Sequence, residues 1–342
     1  MDDRSKSRPE IGGTKISWQY LGKLTEEECE WAFRFTQHEI RDLLDALKIP
    51  NPFITRSGSR FTDVEALCLL LARLRMAEDQ FSLSTKYDRC QAGISEITNE
   101  LSVWIEKKWG HLLDWDEHGL MHPDRLREYA DAFNEYGVPC RSLVALIDCT
   151  IRPTCRPVRF QELAYTGYKK CHGLKFQALV IPNGLIAVLH GPFRAPQNDM
   201  GVYAESMLAQ TMLEKAIQPR SLPTDPPERR YFQIYRDAAY GVSPTMLSPF
   251  LSPGELTAAQ KAWNLAMGKV RISVEHGFGL VAQQFPFINC VWKQKIWGTR
   301  CGTFYKVATL LTNAKACLRP NQTAIRYGCM PPELKEYFYE RM

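Results

Sequence analysis

The chain has no Cys-x-x-Cys pair and no apolar run long enough to span a bilayer. Without paired spacing, its eleven cysteines are expected to be reduced thiols of an intracellular protein. The alternative is zinc held by Cys149, Cys155, Cys171 and His172. Their spacing is irregular, and two of them adjoin strand-like segments. A transmembrane helix needs roughly 18 or more consecutive apolar residues, so neither a span nor a membrane partner is expected. The N-terminus, Met1-Asp2-Asp3-Arg4-Ser5-Lys6-Ser7, is charged with no apolar region after it, so no secretory signal is expected. There is no internal repeat, and no low-complexity tract beyond the Pro-rich loop 218–229. Charge of one sign is also scarce in excess: Lys+Arg 43 against Asp+Glu 38 leaves a formal +5. That is compatible with a polyanionic partner without requiring one.

What is present suits a globular chain. At 342 residues with 45% hydrophobic content there is room for two domains and a substantial core. Residues 1–23 form a loose N-terminal segment, and 24–138 read as a helical domain. Within it, 24–48 is helical, with an acidic first turn at Glu26-Glu27-Glu28 and periodic Leu43, Leu44 and Leu47. Thr62-Asp63-Val64-Glu65 has capping-box spacing and opens a helix with an apolar stripe of Val64, Leu67, Leu70, Leu71 and Leu74. A short helix at 81–87 and a further one carrying Ile94, Ile97, Leu101, Trp104 and Ile105 follow. Helix, short helix, turn, helix is the outline of a helix-turn-helix unit, and equally of plain bundle packing.

Gly137-Val138-Pro139 marks the expected boundary to a second domain, 139–320, with 321–342 as a C-terminal tail. Strand-like runs appear at 142–149, 173–181 and 184–190, the last two joined by Pro182-Asn183-Gly184, a hairpin signal. A helix at about 200–216, a strand ending at Asp237 and a long helix over about 255–284 follow. This order predicts an α+β fold: a ribonuclease-H-like mixed sheet with flanking helices, preceded by the all-helical, helix-turn-helix-like domain.

Three carboxylates stand out against this outline. Asp148 ends the apolar run Leu143-Val144-Ala145-Leu146-Ile147, Asp237 ends Tyr231-Phe232-Gln233-Ile234-Tyr235-Arg236, and Glu275 follows Arg271 by one helical turn. Each alone is an ordinary turn or surface residue. Jointly, two acids at strand ends and one on a later helix are what two-metal phosphodiester cleavage needs. Mg²⁺ and Mn²⁺ prefer carboxylate oxygens, and two ions about 3.5–4 Å apart can stabilise both the attacking and the leaving oxygen. Asp148 suits the bridging position and Asp237 and Glu275 the flanks. Two carboxylates about 4 Å apart repel by about 4 kcal/mol at an effective dielectric near 20, so such a cluster implies a cation.

Further blocks surround these acids. They are Leu146-Ile147-Asp148-Cys149-Thr150; Cys155-Arg156-Pro157; Tyr165-Thr166-Gly167-Tyr168-Lys169-Lys170; and His172-Gly173-Leu174-Lys175-Phe176-Gln177. Then come Pro182-Asn183-Gly184, Gly191-Pro192, Asn198-Asp199, Asp237-Ala238-Ala239-Tyr240, Arg271-Ile272-Ser273-Val274-Glu275 with Phe278-Gly279, and Leu311-Thr312-Asn313. Together they resemble the PIF/Harbinger-type transposases and the nucleases derived from them, within the DDE superfamily, over most of residues 60–340.

The resemblance implies a metal-dependent DNA endonuclease, with strand transfer in the true transposases. Asp148 and Glu275 carry over as first and last acids of the triad. Asp237 is expected as the middle metal ligand, and Asp199, in the family's His-Asp block, as a fourth, supporting acid. DNA is the implied partner, with a Myb-like protein as a second, and paired-end cutting favours a homodimer. In a eukaryote the implied location is the nucleus. The chain departs from the family pattern at Ala282, where a Lys is usual, at Asn198, where a His is usual, and at Cys149, where a Gly is usual. These departures leave open a domesticated DNA-binding or scaffold protein with weak or no activity, and a ribonuclease on the same fold is a third reading. Arg156, Lys169, Lys170, Lys175 and Arg271, with Arg152 and His172, are read as a phosphate track beside the acids, or as solvated charges. Trp292 and Trp297, interleaved with Lys293 and Lys295, are read as base-stacking or packing residues.

Overall fold

The computed structural model describes residues 13–77, 79–236, 243–252 and 254–340. They divide into two compact units: the residues up to Lys107 with Gln284–Phe287, and Lys108–Gln283 with Ile288 onward.

The first unit holds helices α1 (Trp18–Leu21), α2 (Glu26–Phe33) and α3 (Gln37–Leu47), and a small hairpin, β1 (Phe53–Ile54) with β2 (Arg60–Phe61). Helices α4 (Asp63–Arg75), α5 (Gln80–Tyr87) and α6 (Gln91–Trp109) follow. The helical stretch expected over 24–48 is two helices. Arg34 takes the left-handed conformation (φ 70°) after α2, and a second capping box, Thr36 with Glu39, opens α3. The expected single stripe of α4 is also exceeded: Ala66, Cys68, Leu69 and Ala72 are as buried as the stripe itself. The run Ala66-Leu67-Cys68-Leu69-Leu70-Leu71-Ala72 is apolar all round, so no face of it favours water. Thr62 caps α4, but Glu65 leaves the box to accept from Nε and Nη2 of Arg89, each at 2.6 Å.

In the second unit, α7 (Pro123–Glu135) precedes β3 (Leu143–Pro153), α8 (Gln161–Ala164), β4 (Tyr165–Thr166), β5 (Cys171–Val180) and β6 (Ile186–Arg194). Then come α9 (Asp199–Glu205), α10 (Leu208–Lys215), α11 (Pro227–Arg230), β7 (Gln233–Tyr235), β8 (Met246–Leu247) and α12 (Ala258–Gln284). The chain closes with α13 (Cys301–Leu318), α14 (Gln322–Tyr327) and α15 (Leu334–Tyr337). The compact units divide upstream of Gly137-Val138-Pro139, because α7 packs with β3 inside the second unit. The helix expected over 200–216 is broken between α9 and α10, where Met207 is left-handed (φ 56°).

The sheet is mixed. β3 lies between β5, antiparallel to it, and β7, parallel to it; β6 flanks β5, and β8 extends β7 in parallel. β3 is apolar from Leu143 to Ile147 because both its faces are covered. At the hairpin between β5 and β6, Gly184 supplies the positive φ of 78° and the Asn183 carboxamide accepts the Leu185 N–H. The side chain of Asn313 on α13 closes the start of β6. It accepts the Ile186 N–H, donates to the Ile186 carbonyl and donates to the Tyr337 hydroxyl.

Helix α12 approaches the sheet at Gly277, where a Cβ would stand 3.1 Å from Val180 and 3.8 Å from Ile186. Gly277→Leu is therefore expected to lift α12 and cost roughly 1–3 kcal/mol, the usual range for overpacking. A urea midpoint unchanged from the parent would contradict this contact.

Candidate active site

Asp148, Asp199 and Glu275 line one cleft of about 820 Å³ in the second unit, together with Thr166, Lys169 and Lys175. Asp237 lies outside the described residues. Strand geometry places Asp148. Among the described residues β3 pairs with β7 up to Leu146, and it runs on to Pro153 beside β5. Asp148 thus sits just past the last paired residue of a parallel strand pair, where α/β sheets open into crevices. Its Oδ1 accepts the Cys149 N–H at 2.7 Å, which fixes the carboxylate orientation.

Register sorts the other acids by face. Asp148 is directly opposite Ala178, so it shares a face with Ala178, Phe176 and Val180. Val180 meets α12 at Gly277, and Phe176 meets Tyr305 of α13 with ring centroids 4.6 Å apart. Glu275, two residues before Gly277, therefore reaches the cleft from the Asp148 face. Asp199 comes from the other face. Its helix α9 ends at Ser206, whose hydroxyl donates to Gln177, a residue of the alternate face of β5.

Asp199 and Glu275 each hold an intrachain cation. Lys175, 8% exposed, donates to Asp199 Oδ1 at 2.9 Å and also to the Gln197 carbonyl. Arg271 meets Glu275 at 3.0 Å across one helical turn, the i,i+4 pair its spacing predicts. The Lys175 pair carries no local sequence signal, because strand and helix bring together residues 24 apart. Asn198, where the resemblance leads one to expect His, is the N-cap of α9 and accepts the Gly201 N–H at 2.7 Å.

The basic residues of the expected phosphate track divide. Lys169 and Lys170 are exposed, and Lys169 lines the cleft. Arg156 is exposed and donates to Gln161 at 2.9 Å. Lys175 and Arg271 face acids, as above. Arg152 turns inward, stacking 4.8 Å over the Tyr305 ring and donating to Thr150. Trp292 and Trp297 are exposed, at 68% and 72%, and so are not core packing.

The donor chemistry fits a hard divalent cation: the acids of the cleft offer carboxylate oxygens only. Among the described residues no three His, Cys, Asp or Glu side chains converge as a metal cage. The described acids therefore share a cleft without closing on one point. The zinc alternative gains no support: Cys149, Cys155, Cys171 and His172 form no such group, and all eleven cysteines are free thiols. Burial pushes the Cys29 thiol up to about 12 and that of Cys301 to about 11, so both stay protonated at neutral pH.

A comparison with protein families bears on this geometry. Residues 147–313 match the DDE superfamily endonuclease family. The DDE-matched segment begins one residue before Asp148 and ends at Asn313, so all four acids lie inside it. The mixed sheet and its helices are compatible with a DDE nuclease fold. No curated protein and no solved structure matches the chain. No helix among the described residues is long and apolar enough to cross a membrane.

Proposed function

We propose that the chain is a metal-dependent DNA endonuclease of transposase origin, of the PIF/Harbinger type, built on a ribonuclease-H-like core. The observation that carries this reading is the shared cleft of Asp148 and Glu275, on one face of the sheet, inside the segment that matches the DDE endonucleases. The strand order β6-β5-β3-β7-β8 supports it: an antiparallel meander of three, then two strands parallel to the first.

In this reading Asp148 and Glu275 hold Mg²⁺ or Mn²⁺ with Asp237, and Asp199 supports them. Asp237 follows Tyr235 by two residues, as Asp148 follows Leu146, and Leu146 pairs with Tyr235. Asp199 is the weaker candidate for the middle acid because it arrives from the opposite face and already holds Lys175. When bound, the ions would activate water and stabilise the leaving oxygen in phosphodiester hydrolysis. Lys169, Lys170 and Arg156 offer exposed positive charge for the phosphates, while Lys175 and Arg271 position Asp199 and Glu275. The helices of 24–138 serve as a helix-turn-helix-like DNA-binding part and 139–320 as the catalytic domain. A Myb-like partner and a homodimer complete the assembly, which would work in the nucleus.

A second reading, a domesticated DNA-binding or scaffold protein of little activity, draws on Ala282 and on the intrachain pairing of Asp199 and Glu275. Supercoiled plasmid separates the two. The endonuclease reading expects nicking with Mn²⁺ or Mg²⁺ and none in EDTA, together with metal uptake by calorimetry. Folded protein that takes up no metal and nicks nothing decides for the scaffold. Competition between duplex DNA and RNA–DNA hybrid tests the ribonuclease variant of the site.

A further inference from the structure

Beside the cleft, the second unit has an apolar groove of about 380 Å³, lined among others by Pro157, Phe160, Leu163, Pro192 and Trp297. Its aromatic walls face water: Phe160 is 57% exposed and Trp297 72%. Their ring centroids are 6.3 Å apart with planes tilted by 57°. Phe160 holds a left-handed backbone (φ 56°), a conformation bulky residues rarely adopt, and it does so with its ring turned to solvent.

The rim is cationic. Arg159 and Arg194 line the groove and are exposed, and Arg156 is exposed nearby in the same segment. From Arg152 to Lys175 the sequence has six Lys or Arg and one acid, Glu162. From Pro286 to Arg300 it has Lys293, Lys295 and Arg300 and no acid. An apolar peptide has no need of such a field; a strand of phosphates with exposed bases does. Aromatic faces open to water beside Arg and Lys are the composition of single-strand binding surfaces, where bases stack and cations track the backbone. Duplex bases are already stacked on one another and cannot use these rings.

The groove also adjoins the cleft along the chain. Leu174 lines the groove and Lys175 the cleft; Arg194 lines the groove and Ala195 the cleft.

We propose that this groove binds an unpaired base of single-stranded DNA, stacked on Trp297 and Phe160, with the flanking phosphates on Arg159 and Arg194. The choice of DNA rests on the endonuclease reading; the stacking site itself does not need the acids to work.

The test uses the full chain in EDTA, with a fluorescein-labelled oligothymidylate and a matched duplex as probes. Trp297→Ala and Phe160→Ala are each expected to weaken oligothymidylate binding about tenfold, within the range for one stacked base, and duplex binding far less. Trp297→Phe should recover part of the loss. Both residues are exposed, so thermal melts of the variants should match the parent. Unchanged oligothymidylate affinity in both alanine variants overturns the proposal, as does a parent that fails to bind the probe. So does a self-association, seen by sedimentation, that Trp297→Ala abolishes, because the groove then belongs to a second copy. Tighter Trp297-dependent binding of an oligouridylate would reassign the ligand to RNA and likewise overturn it. Absence of metal-dependent nicking alongside Trp297-dependent oligothymidylate binding refutes the endonuclease reading alone.

Discussion

Asp148→Asn is expected to lower divalent-dependent nicking on the order of 10³-fold or more, since losing several kcal/mol of transition-state charge stabilisation costs about a decade per 1.36 kcal/mol. The substitution keeps the shape of the side chain and an oxygen for the Cys149 N–H, so the local turn should survive. What it removes is the negative charge in the middle of the central strand. Asp199→Asn and Asp237→Asn then rank the middle acid. If Asp237 is the ligand, its variant should fall as far as Asp148→Asn, and Asp199→Asn should fall less. Nicking by Asp148→Asn at the parent rate would end the assignment. Circular dichroism of each variant distinguishes lost chemistry from lost fold.

Asn313→Ala should destabilise the second unit by roughly 2–4 kcal/mol, because it strands buried backbone groups that cost about 1–3 kcal/mol each. Asn313 is 2% exposed, and its carboxamide satisfies both the N–H and the carbonyl of Ile186, at 3.1 and 2.9 Å. It also donates to Tyr337, whose hydroxyl burial pushes up and thereby keeps neutral. Alanine leaves three polar groups without this partner, in a site too enclosed to admit solvent cheaply. Urea unfolding with a fluorescence readout measures the change. A loss under about 1 kcal/mol would mean that water or a backbone shift replaces these bonds. The expected effect is on stability, so nicking per folded molecule should change little.

How far the sequence carries is decided residue by residue. The strand carrying Asp148, the hairpin at Asn183-Gly184 and the long helix bearing Glu275 are legible because each has a local signal, although β3 does not end near Asp148 but continues beside β5 to Pro153. These are an apolar run stopped by a charge, a turn dipeptide, and periodicity with an i,i+4 ion pair. The division of 24–48 into two helices is harder to see, since Arg34 is neither Gly nor Pro; the repeated Thr-x-x-Glu at Thr36–Glu39 was the one available clue. Burial of α4 on all sides was legible in the unbroken apolar run Ala66–Ala72, which a single-stripe reading overlooks. The pairing of Lys175 with Asp199 and the reach of Asn313 to Ile186 are tertiary events between residues far apart in the chain. Asn313 was visible only as part of a motif; its work as a stand-in for a strand partner needed the fold. The groove at Trp297 combines four separated segments, and only its aromatic and basic composition could be read in advance.

The ion pairs in the cleft have a consequence for how a polyanion arrives. Three bare carboxylates would repel a phosphate backbone over about a Debye length, roughly 8–10 Å at ordinary salt. With Lys175 on Asp199 and Arg271 on Glu275, much of that repulsion is cancelled at its source before any ligand is present. Asp199 and Glu275 are thus compensated within the chain, and the exposed Lys169 and Lys170 offer positive charge to an arriving polyanion. The same compensation means that a cation entering the cleft competes with a tethered ammonium and a tethered guanidinium for its carboxylates. Occupancy then follows an exchange rather than a simple filling.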